Sequence, residues 1–322
     1  MMRLLAGLIT LSLLALTTAA GAQTYPVKPI RLVVPYPPGA LTDLLGRAIG
    51  ERLAAALKQP VIIDNKPGAG TLVGAELVAK SAPDGYTLLM ATSTTLGISP
   101  AMYGSPKIDP VQDFVAVSQA GAVNFFLIAS PSFPARGVRE MIETIKAHPG
   151  KFNYASVGAG SPHHLFMEVL KKEFRLDIQH VPYKGTLLAL PDLLTGKIQV
   201  MFCDATAALP NIRAGKVLAY GTSSARQTSL LATVPPVADS VAGFDWQAWQ
   251  GVVAPAGTPQ AIVVRLNTEL QRIQSAPEFR EVLTRFGMDP SPPNTPEGFA
   301  AIIRNDVERW AKAVADSGAK VE

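Results

Sequence analysis

Val34-Pro35-Tyr36-Pro37-Pro38-Gly39-Ala40-Leu41-Thr42-Asp43 joins a β-branched run to an apolar segment with helical spacing, and this stretch decides the fold. The run at 30–35 predicts a strand, and apolar residues recurring from Leu41 to Leu53, Leu44 and Leu45 among them, predict a helix that packs on the sheet. A strand that passes through a short loop into a helix is typical of α/β proteins with mainly parallel sheets.

The same pattern repeats along the chain, so the sequence predicts an α/β fold with two lobes. About 300 mature residues exceed what a single core of ~250 residues holds. We expect residues 23–124 plus 235–322 in lobe 1 and residues 125–234 in lobe 2, with chain crossings near 124–126 and 223–234. The predicted strands are 30–35, 61–64, 86–91, 125–129, 152–156, 178–181, 199–202, 218–222 and 251–254.

Composition excludes several classes of protein. The formal net charge is +4 at pH 7, and basic and acidic residues are interspersed without a polybasic block, which argues against nucleic acid as a partner. Cys203 is the only cysteine, so no intramolecular disulfide can form. Cys203 follows an apolar run and is interpreted as a small buried hydrophobic residue rather than a reactive thiol.

Residues 1–22 have the composition of a secretory signal peptide. Arg3 precedes an apolar run, and Ala20-Gly21-Ala22 matches the small-residue pattern that signal peptidase accepts. The apolar run is shorter than the roughly 20 residues needed to span a bilayer. We therefore expect cleavage after Ala22, a periplasmic mature protein that starts at Gln23, and a monomer.

The loop between the first strand and the first helix is a candidate anion site. Ligands of open parallel sheets bind beyond the carboxyl ends of the strands, where this loop lies. The backbone N–H groups of Ala40, Leu41 and Thr42 at the start of the helix could hold one carboxylate. Gly39 permits close approach of the backbone, whereas Asp43 also fits a structural role as a first-turn acid.

A second strand-to-helix loop reads Asn153-Tyr154-Ala155-Ser156-Val157-Gly158-Ala159-Gly160-Ser161-Pro162-His163-His164. Ser161 fits an N-cap and Pro162 the first helical position, so a helix should begin here. Gly158 and Gly160 leave room for a ligand, and the hydroxyl of Ser156 adds a donor. The glycine spacing matches no dinucleotide or P-loop fingerprint, so no cofactor is expected.

Two catalytic readings of the second loop are weaker. Adjacent His163 and His164 point about 100° apart on a helix, so joint metal ligation is disfavoured and no metal is expected. A hydrolase would need Ser161 or Ser156 with His164 and Asp204, but no G-x-S-x-G elbow is present. His164 is expected to hydrogen-bond near the loop.

Several further segments carry a resemblance. They are Tyr25-Pro26-Val27-Lys28-Pro29-Ile30-Arg31, Asp64-Asn65-Lys66-Pro67-Gly68-Ala69-Gly70, Pro83-Asp84-Gly85-Tyr86-Thr87-Leu88-Leu89, Val181-Pro182-Tyr183-Lys184-Gly185 and Ala254-Pro255-Ala256-Gly257-Thr258-Pro259. Together with the two loops, they make the chain resemble the Bug family, the substrate-binding receptors of tripartite tricarboxylate transporters.

The resemblance implies a type II periplasmic binding protein, a two-lobed flytrap with a two-crossing hinge. Such a receptor captures a small organic carboxylate, delivers it to membrane permease subunits and is not an enzyme. The alternative to transport is a periplasmic binding module that signals to a sensor kinase. By position, lobe 1 would contribute Tyr36, Gly39, Ala40, Thr42, Asp43, Thr92, Ser93 and Thr94. Lobe 2 would contribute Ser156, Gly158, Ala159, Gly160, Ser161, Tyr183, Lys184 and Gly185, with His164 and Asp204 completing the expected site.

Five residues depart from the family pattern. Ala40 replaces a second glycine, Leu96 and Ser99 replace a frequent His and Asn, and Pro191 lies within a predicted helix that it could split. Cys203 takes the place of a common Asp, with Asp204 one residue later. Because side chains alternate along a strand, we expect Asp204 to face a different side, which favours a ligand without an amine.

Overall fold

The structure is a computed structural model that describes residues 25–104 and 107–319. The predicted signal peptide lies outside the described residues. Within the described part of the chain, no helix is long and apolar enough to cross a membrane.

Two sheets form the centres of two lobes. The first sheet has six strands in the order β11-β4-β10-β3-β1-β2, and the second has five in the order β7-β6-β8-β5-β9. The strands are β1 (Ile30–Val34), β2 (Val61–Asn65), β3 (Thr87–Thr92), β4 (Phe114–Val123), β5 (Phe125–Ala129), β6 (Asn153–Ser156), β7 (Gln179–Pro182), β8 (Val200–Asp204), β9 (Leu218–Thr222), β10 (Ala248–Pro255) and β11 (Met288–Pro290).

Helices cover the faces of both sheets. They are α1 (Leu41–Leu57), α2 (Leu72–Ala79), α3 (Ser99–Tyr103), α4 (Val138–Ala147), α5 (Pro162–Phe174), α6 (Thr186–Leu194), α7 (Ala205–Arg213), α8 (Gln260–Ser275), α9 (Pro277–Arg285) and α10 (Pro296–Ser317).

Most strands in each sheet point the same way, which confirms the prediction of mainly parallel sheets. In the first sheet β1 to β4 run together and β10 and β11 run against them. In the second sheet β6 to β9 run together and β5 runs against them. The two sheets have the same strand arrangement, because the reversed strand β10 occupies the position in the first sheet that β5 occupies in the second. These two reversed strands directly follow the two passages between the sheets.

Nine strands predicted from the sequence are present, with ends shifted by at most a few residues. The sequence missed β4 and the three-residue β11. β4 reads Phe-Val-Ala-Val-Ser-Gln-Ala-Gly-Ala-Val, where small and polar residues interrupt the apolar run. Ser118 is buried there because the Nε2 atoms of Gln271 and Gln274 donate to its hydroxyl at 2.9 and 3.1 Å. Partners from distant helices, which single-sequence patterns do not reveal, thus stabilise this strand.

The chain passes from the first sheet to the second at Asn124, between β4 and β5. After β9 the chain stays beside the second sheet before it crosses to the first. The Thr222 N–H donates to the Pro235 carbonyl, and the Trp246 N–H donates to the Ser223 carbonyl. Phe244 stacks on Phe202 of β8, which places 235–247 beside the second sheet. The lobe ranges expected from the sequence stay a prediction.

Helix α10 belongs to both cores. Near its start, Phe299 packs edge-to-face on Trp249 of the first sheet with ring centroids 5.1 Å apart. Near its end, Trp310 contacts Trp246 at 4.8 Å and Phe166 of α5 at 5.9 Å. A single helix therefore joins the lobes in addition to the two chain crossings.

The apolar stripe of α1 is confirmed except at one position. Leu45 and Leu53 are buried in the core of the first lobe, whereas Leu44 is 41% exposed. Leu44 and Leu45 are adjacent, so they point about 100° apart and cannot both face the sheet.

Candidate functional site

A cavity of about 350 Å³ lies between the lobes. The first lobe contributes the start of α1 and the turn after β3, and the second contributes the start of α5 and the end of β8. Its size fits the range of small-molecule sites. The lining residues are Tyr36, Ala40, Leu41, Thr42, Thr92, Ser93, Thr94, Val123, Phe125, Pro162, His163, Asp204, Thr206, Ala248, Trp249, Gln250 and Phe286.

Asp43 fixes the loop that leads into α1. The Gly39 N–H and the Asn65 Nδ2 each donate to its carboxylate at 2.8 Å, and Arg47 Nε donates at 3.0 Å. Burial opposes the charge, but these three donors together hold the pKa of Asp43 below its ordinary value. The Asp43 carboxylate therefore holds the loop in place by hydrogen bonds. The loop conformation also requires a φ of +84° at position 39, which glycine adopts without strain.

The first turn of α1 presents free donors to the cavity. Ala40 is the N-cap and has no capping side-chain hydrogen bond. The first backbone bond of the helix runs from the Leu44 N–H to the Ala40 carbonyl, and within the described residues the N–H groups of Leu41 and Thr42 have no partner. The Ala40 N–H was expected to bind the ligand as well, but it donates to the Pro37 carbonyl at 3.2 Å. Unpaired N–H groups at the positive end of a helix of 17 residues suit an anion.

Asp204 lies on the opposite wall. It ends β8 and is the N-cap of α7, where its Oδ1 accepts from the Ala207 N–H at 3.2 Å. Thr186 donates to Oδ2 at 2.7 Å, and Thr206 also donates to the carboxylate. Burial raises the pKa, but the nearby His163 ring first, and then hydrogen bonds from Thr206 and Thr186, hold the pKa of Asp204 well below its ordinary range. The wall is therefore anionic.

Asp204 lines the cavity, as its place in the expected site required. The expectation that the acid turns to a different side is therefore wrong, and the position of Asp204 no longer favours a ligand without an amine. Alternation along a strand no longer applies at its last residue, where the chain turns to cap α7. Cys203, one residue earlier, is fully buried as predicted, and burial raises the pKa of its thiol.

The second loop binds to itself rather than opening into the cavity. Ser161 is the N-cap of α5, as predicted, and its hydroxyl donates to the Gly158 carbonyl at 2.7 Å. The Gly158 N–H donates to Ser156 Oγ at 3.0 Å, and the Gly160 N–H donates to His164 Nδ1 at 3.2 Å. Most donors of this loop are thus occupied within it.

A side chain of the first lobe covers this loop. A Cβ placed on Gly160 would lie 2.7 Å from the Met102 methyl carbon of α3. Gly158 has a φ of +123°, which side-chain-bearing residues rarely adopt, so a valine there would strain the backbone. Gly158→Val would therefore test folding as well as binding.

The predicted site residues separate into three groups. Seven line the cavity: Tyr36, Ala40, Thr42, Thr92, Ser93, Thr94 and Asp204. Lys184 and Gly185 line an adjoining groove that also contains Asp204. The others lie outside both: Gly39, Asp43, Ser156, Gly158, Ala159, Gly160, Ser161, His164 and Tyr183.

Sequence reasoning missed several lining residues. The sequence suggests only a metal-ligand role for His163 and argues against it, yet His163 lines the cavity 3.7 Å from Asp204. Thr206 follows the end of β8 by two residues, and this position beyond a strand end could have identified it. Phe125 and Phe286 gave no sequence signal, because aromatic residues are equally expected in the core.

The other departures from the family pattern have structural roles. Leu96 is fully buried in the core of the first lobe, and Ser99 donates to the Gly70 carbonyl. Pro191 does not split α6, which is continuous over Thr186–Leu194. The hydrogen bond that Pro191 cannot make would reach Leu187, which is 73% exposed and open to water.

The structure does not bring together the side chains that either catalytic hypothesis requires. The Ser161 hydroxyl accepts from the His164 backbone N–H, and the His164 ring nitrogen accepts from Gly160, so no bond joins that hydroxyl to that ring. Among the described residues, no group of three or more His, Cys, Asp or Glu side chains could hold a metal ion.

A buried aromatic and histidine cluster supports the second loop. His180 stacks on His164 with ring centroids 4.2 Å apart and on Tyr154 at 5.0 Å, and its Nε2 lies 2.6 Å from Ser156 Oγ. Glu168 accepts from Tyr154 and, at 2.8 Å, from Lys171. Burial first, and then His164, lowers the pKa of His180 to about 4.

This cluster predicts a loss of stability in mild acid. The unfolded chain protonates His180 near pH 6.5, whereas the folded chain does so only near pH 4. The free energy of unfolding should therefore fall as pH drops from about 6.5 to about 4, with His164 contributing in the same direction. Denaturant unfolding across this window should show a smaller fall in His180→Gln, and an identical fall would contradict the assignment.

Comparisons with known proteins agree with this architecture. The sequence model of the tripartite tricarboxylate transporter family receptor matches residues 45–318. A UPF0065 protein of Bordetella pertussis is 35% identical over 98% of this chain and 97% of its own length.

Two solved structures are similar over nearly the whole chain. The periplasmic binding protein BugD is 30% identical, with a TM-score of 0.71 over 92% of this chain and 100% of that one. MatC from Rhodopseudomonas palustris with bound malate is 32% identical, with a TM-score of 0.71 over 90% and 100% of the two chains.

The chain has the two-lobed fold of periplasmic binding proteins, with a cavity between the lobes. The chain belongs to the tripartite tricarboxylate transporter receptor family, as the family match over residues 45–318 shows.

Proposed function

We propose that this protein is an extracytoplasmic receptor that captures a small organic carboxylate and delivers it to the permease subunits of a tripartite tricarboxylate-type transporter. The observation that carries the proposal is the free first turn of α1, which opens into a cavity between two lobes. Family membership and the malate-bound relative support it. The proposal includes export with cleavage after Ala22 and a monomeric receptor.

The ligand carboxylate is proposed to accept from the N–H groups of Leu41 and Thr42. A helix N-terminus binds an anion without a counter-charged side chain, which suits a wall where polar Thr92 and Thr94 are the neighbours. A ligand that also contacts the second lobe favours the closed arrangement, because only a difference in affinity between two states can shift their populations.

Binding without turnover is the expected behaviour. Calorimetric titration with dicarboxylates, tricarboxylates, aromatic acids and amino acids should find at least one ligand, which should be recovered chemically unchanged after long incubation. The physical reason is that the candidate nucleophile Ser161 is held by Gly158 and His164. Product formation that disappears in Ser161→Ala would overturn the receptor role, as would a panel without any ligand.

A further inference from the structure

We infer that this receptor selects monocarboxylates with an apolar body over dicarboxylates and tricarboxylates. The inference rests on the proposed function and adds the class of ligand. It follows from the free donors at one helix N-terminus, the sign of the charge on the second lobe and the apolar part of the cavity lining.

A helix N-terminus presents two free backbone donors to the cavity. These are the N–H groups of Leu41 and Thr42 at the start of α1. The comparable set in the second lobe is occupied, since the N–H groups of Gly158, Gly160 and Ser161 already donate within their own loop. The start of α1 is therefore better prepared for a ligand carboxylate than the loop before α5, whose N–H groups at three positions are already bonded.

The second lobe presents a negative charge instead. Asp204 lines the cavity from the lobe opposite α1. Of the described residues that line the cavity, none is lysine or arginine, and His163 Nε2 lies 3.7 Å from Asp204 Oδ2. Lys184 lies in the adjoining groove but forms no ion pair with Asp204 among the described contacts. A second ligand carboxylate would meet a like charge.

Apolar side chains form part of the cavity lining, beside the polar Tyr36, Thr92 and Thr94. Leu41, Val123 and Phe286 line the cavity, and Phe125 packs edge-to-face on His163 with ring centroids 4.8 Å apart. A methyl group or an aromatic ring buried there gains from leaving water, whereas a carboxylate loses its hydration without a partner. The charge and the lining thus favour the same class of ligand.

Matched ligand pairs test the inference by calorimetry. Hexanoate and adipate differ by the exchange of a methyl group for a carboxylate, and so do 4-methylbenzoate and terephthalate. In at least one pair the monocarboxylate should bind at least about ten-fold more tightly than its partner. A dicarboxylate that binds as tightly as its partner, or no binding of any of the four, would overturn the inference.

Asp204→Asn isolates the charge. Asparagine is as good an N-cap as aspartate, so α7 should persist. In Asp204→Asn, the ratio of the dicarboxylate to the monocarboxylate dissociation constant should fall at least about five-fold. Asp316→Asn is the control, because it removes the same charge from α10 outside the cavity, and it should leave this ratio unchanged. An unchanged preference in Asp204→Asn would refute the role of the charge. Tight dicarboxylate binding would refute this inference yet leave the receptor function standing.

Discussion

Ala40→Asp should abolish carboxylate binding while leaving the protein folded. Ala40 is the N-cap of α1, with extended backbone angles and no capping side chain, and it lines the cavity. Aspartate is among the best N-cap residues, so its carboxylate should accept from the N–H groups of the first turn and stabilise the helix. The same carboxylate would occupy the ligand donors and repel a ligand anion, which should weaken binding at least about 100-fold.

Ala40→Asn is the matched control, since asparagine has nearly the same shape and also caps helices without carrying a charge. Its affinity should lie between those of the parent and Ala40→Asp. Calorimetry should be combined with thermal unfolding, because the expected result is lost affinity with an undiminished melting temperature. If Ala40→Asp binds the parent's ligand with undiminished affinity, the start of α1 is not the carboxylate site.

The sequence predicted those features of the fold that depend on residues close together in the chain. Ser161 followed by Pro162 predicted the start of α5, because a helix cap depends on neighbouring residues. The apolar spacing that begins at Leu41 predicted α1. The predicted contacts of Ala40 and Thr42 with a cavity followed from their position beyond a strand end.

Tertiary contacts decided the rest. The second loop contains the residue types of an anion site, but His164 and Ser156 accept its N–H groups, and Met102 from the other lobe covers Gly160. The sequence predicted that His164 would hydrogen-bond near the loop, but not that its ring would occupy a donor expected to bind the ligand. The direction of the Asp204 side chain likewise depends on its role as a helix cap at the strand end and not on strand alternation.

Trp310→Ala should cause the largest loss of stability among these variants. The side chain is 1% exposed and lies in the core of the second lobe, although α10 begins against the first. Replacing a buried tryptophan with alanine removes apolar contacts and leaves a cavity, which costs about 3–5 kcal/mol. Denaturant unfolding should therefore show a lower free energy of unfolding for this variant.

The reason to expect the upper part of this range is that Trp310 fills space that both lobes share. A Cβ on Gly97, in the turn after β3, would lie 2.5 Å from the Trp310 ring, so the first lobe packs directly on a side chain that also contacts Trp246 and Phe166. Without that ring, neither lobe can fill the space by a small local shift. Leu187→Ala, at a position 73% exposed, is the control and should change stability by at most about 0.5 kcal/mol. A loss below about 1 kcal/mol in Trp310→Ala would mean that α10 does not join the two cores.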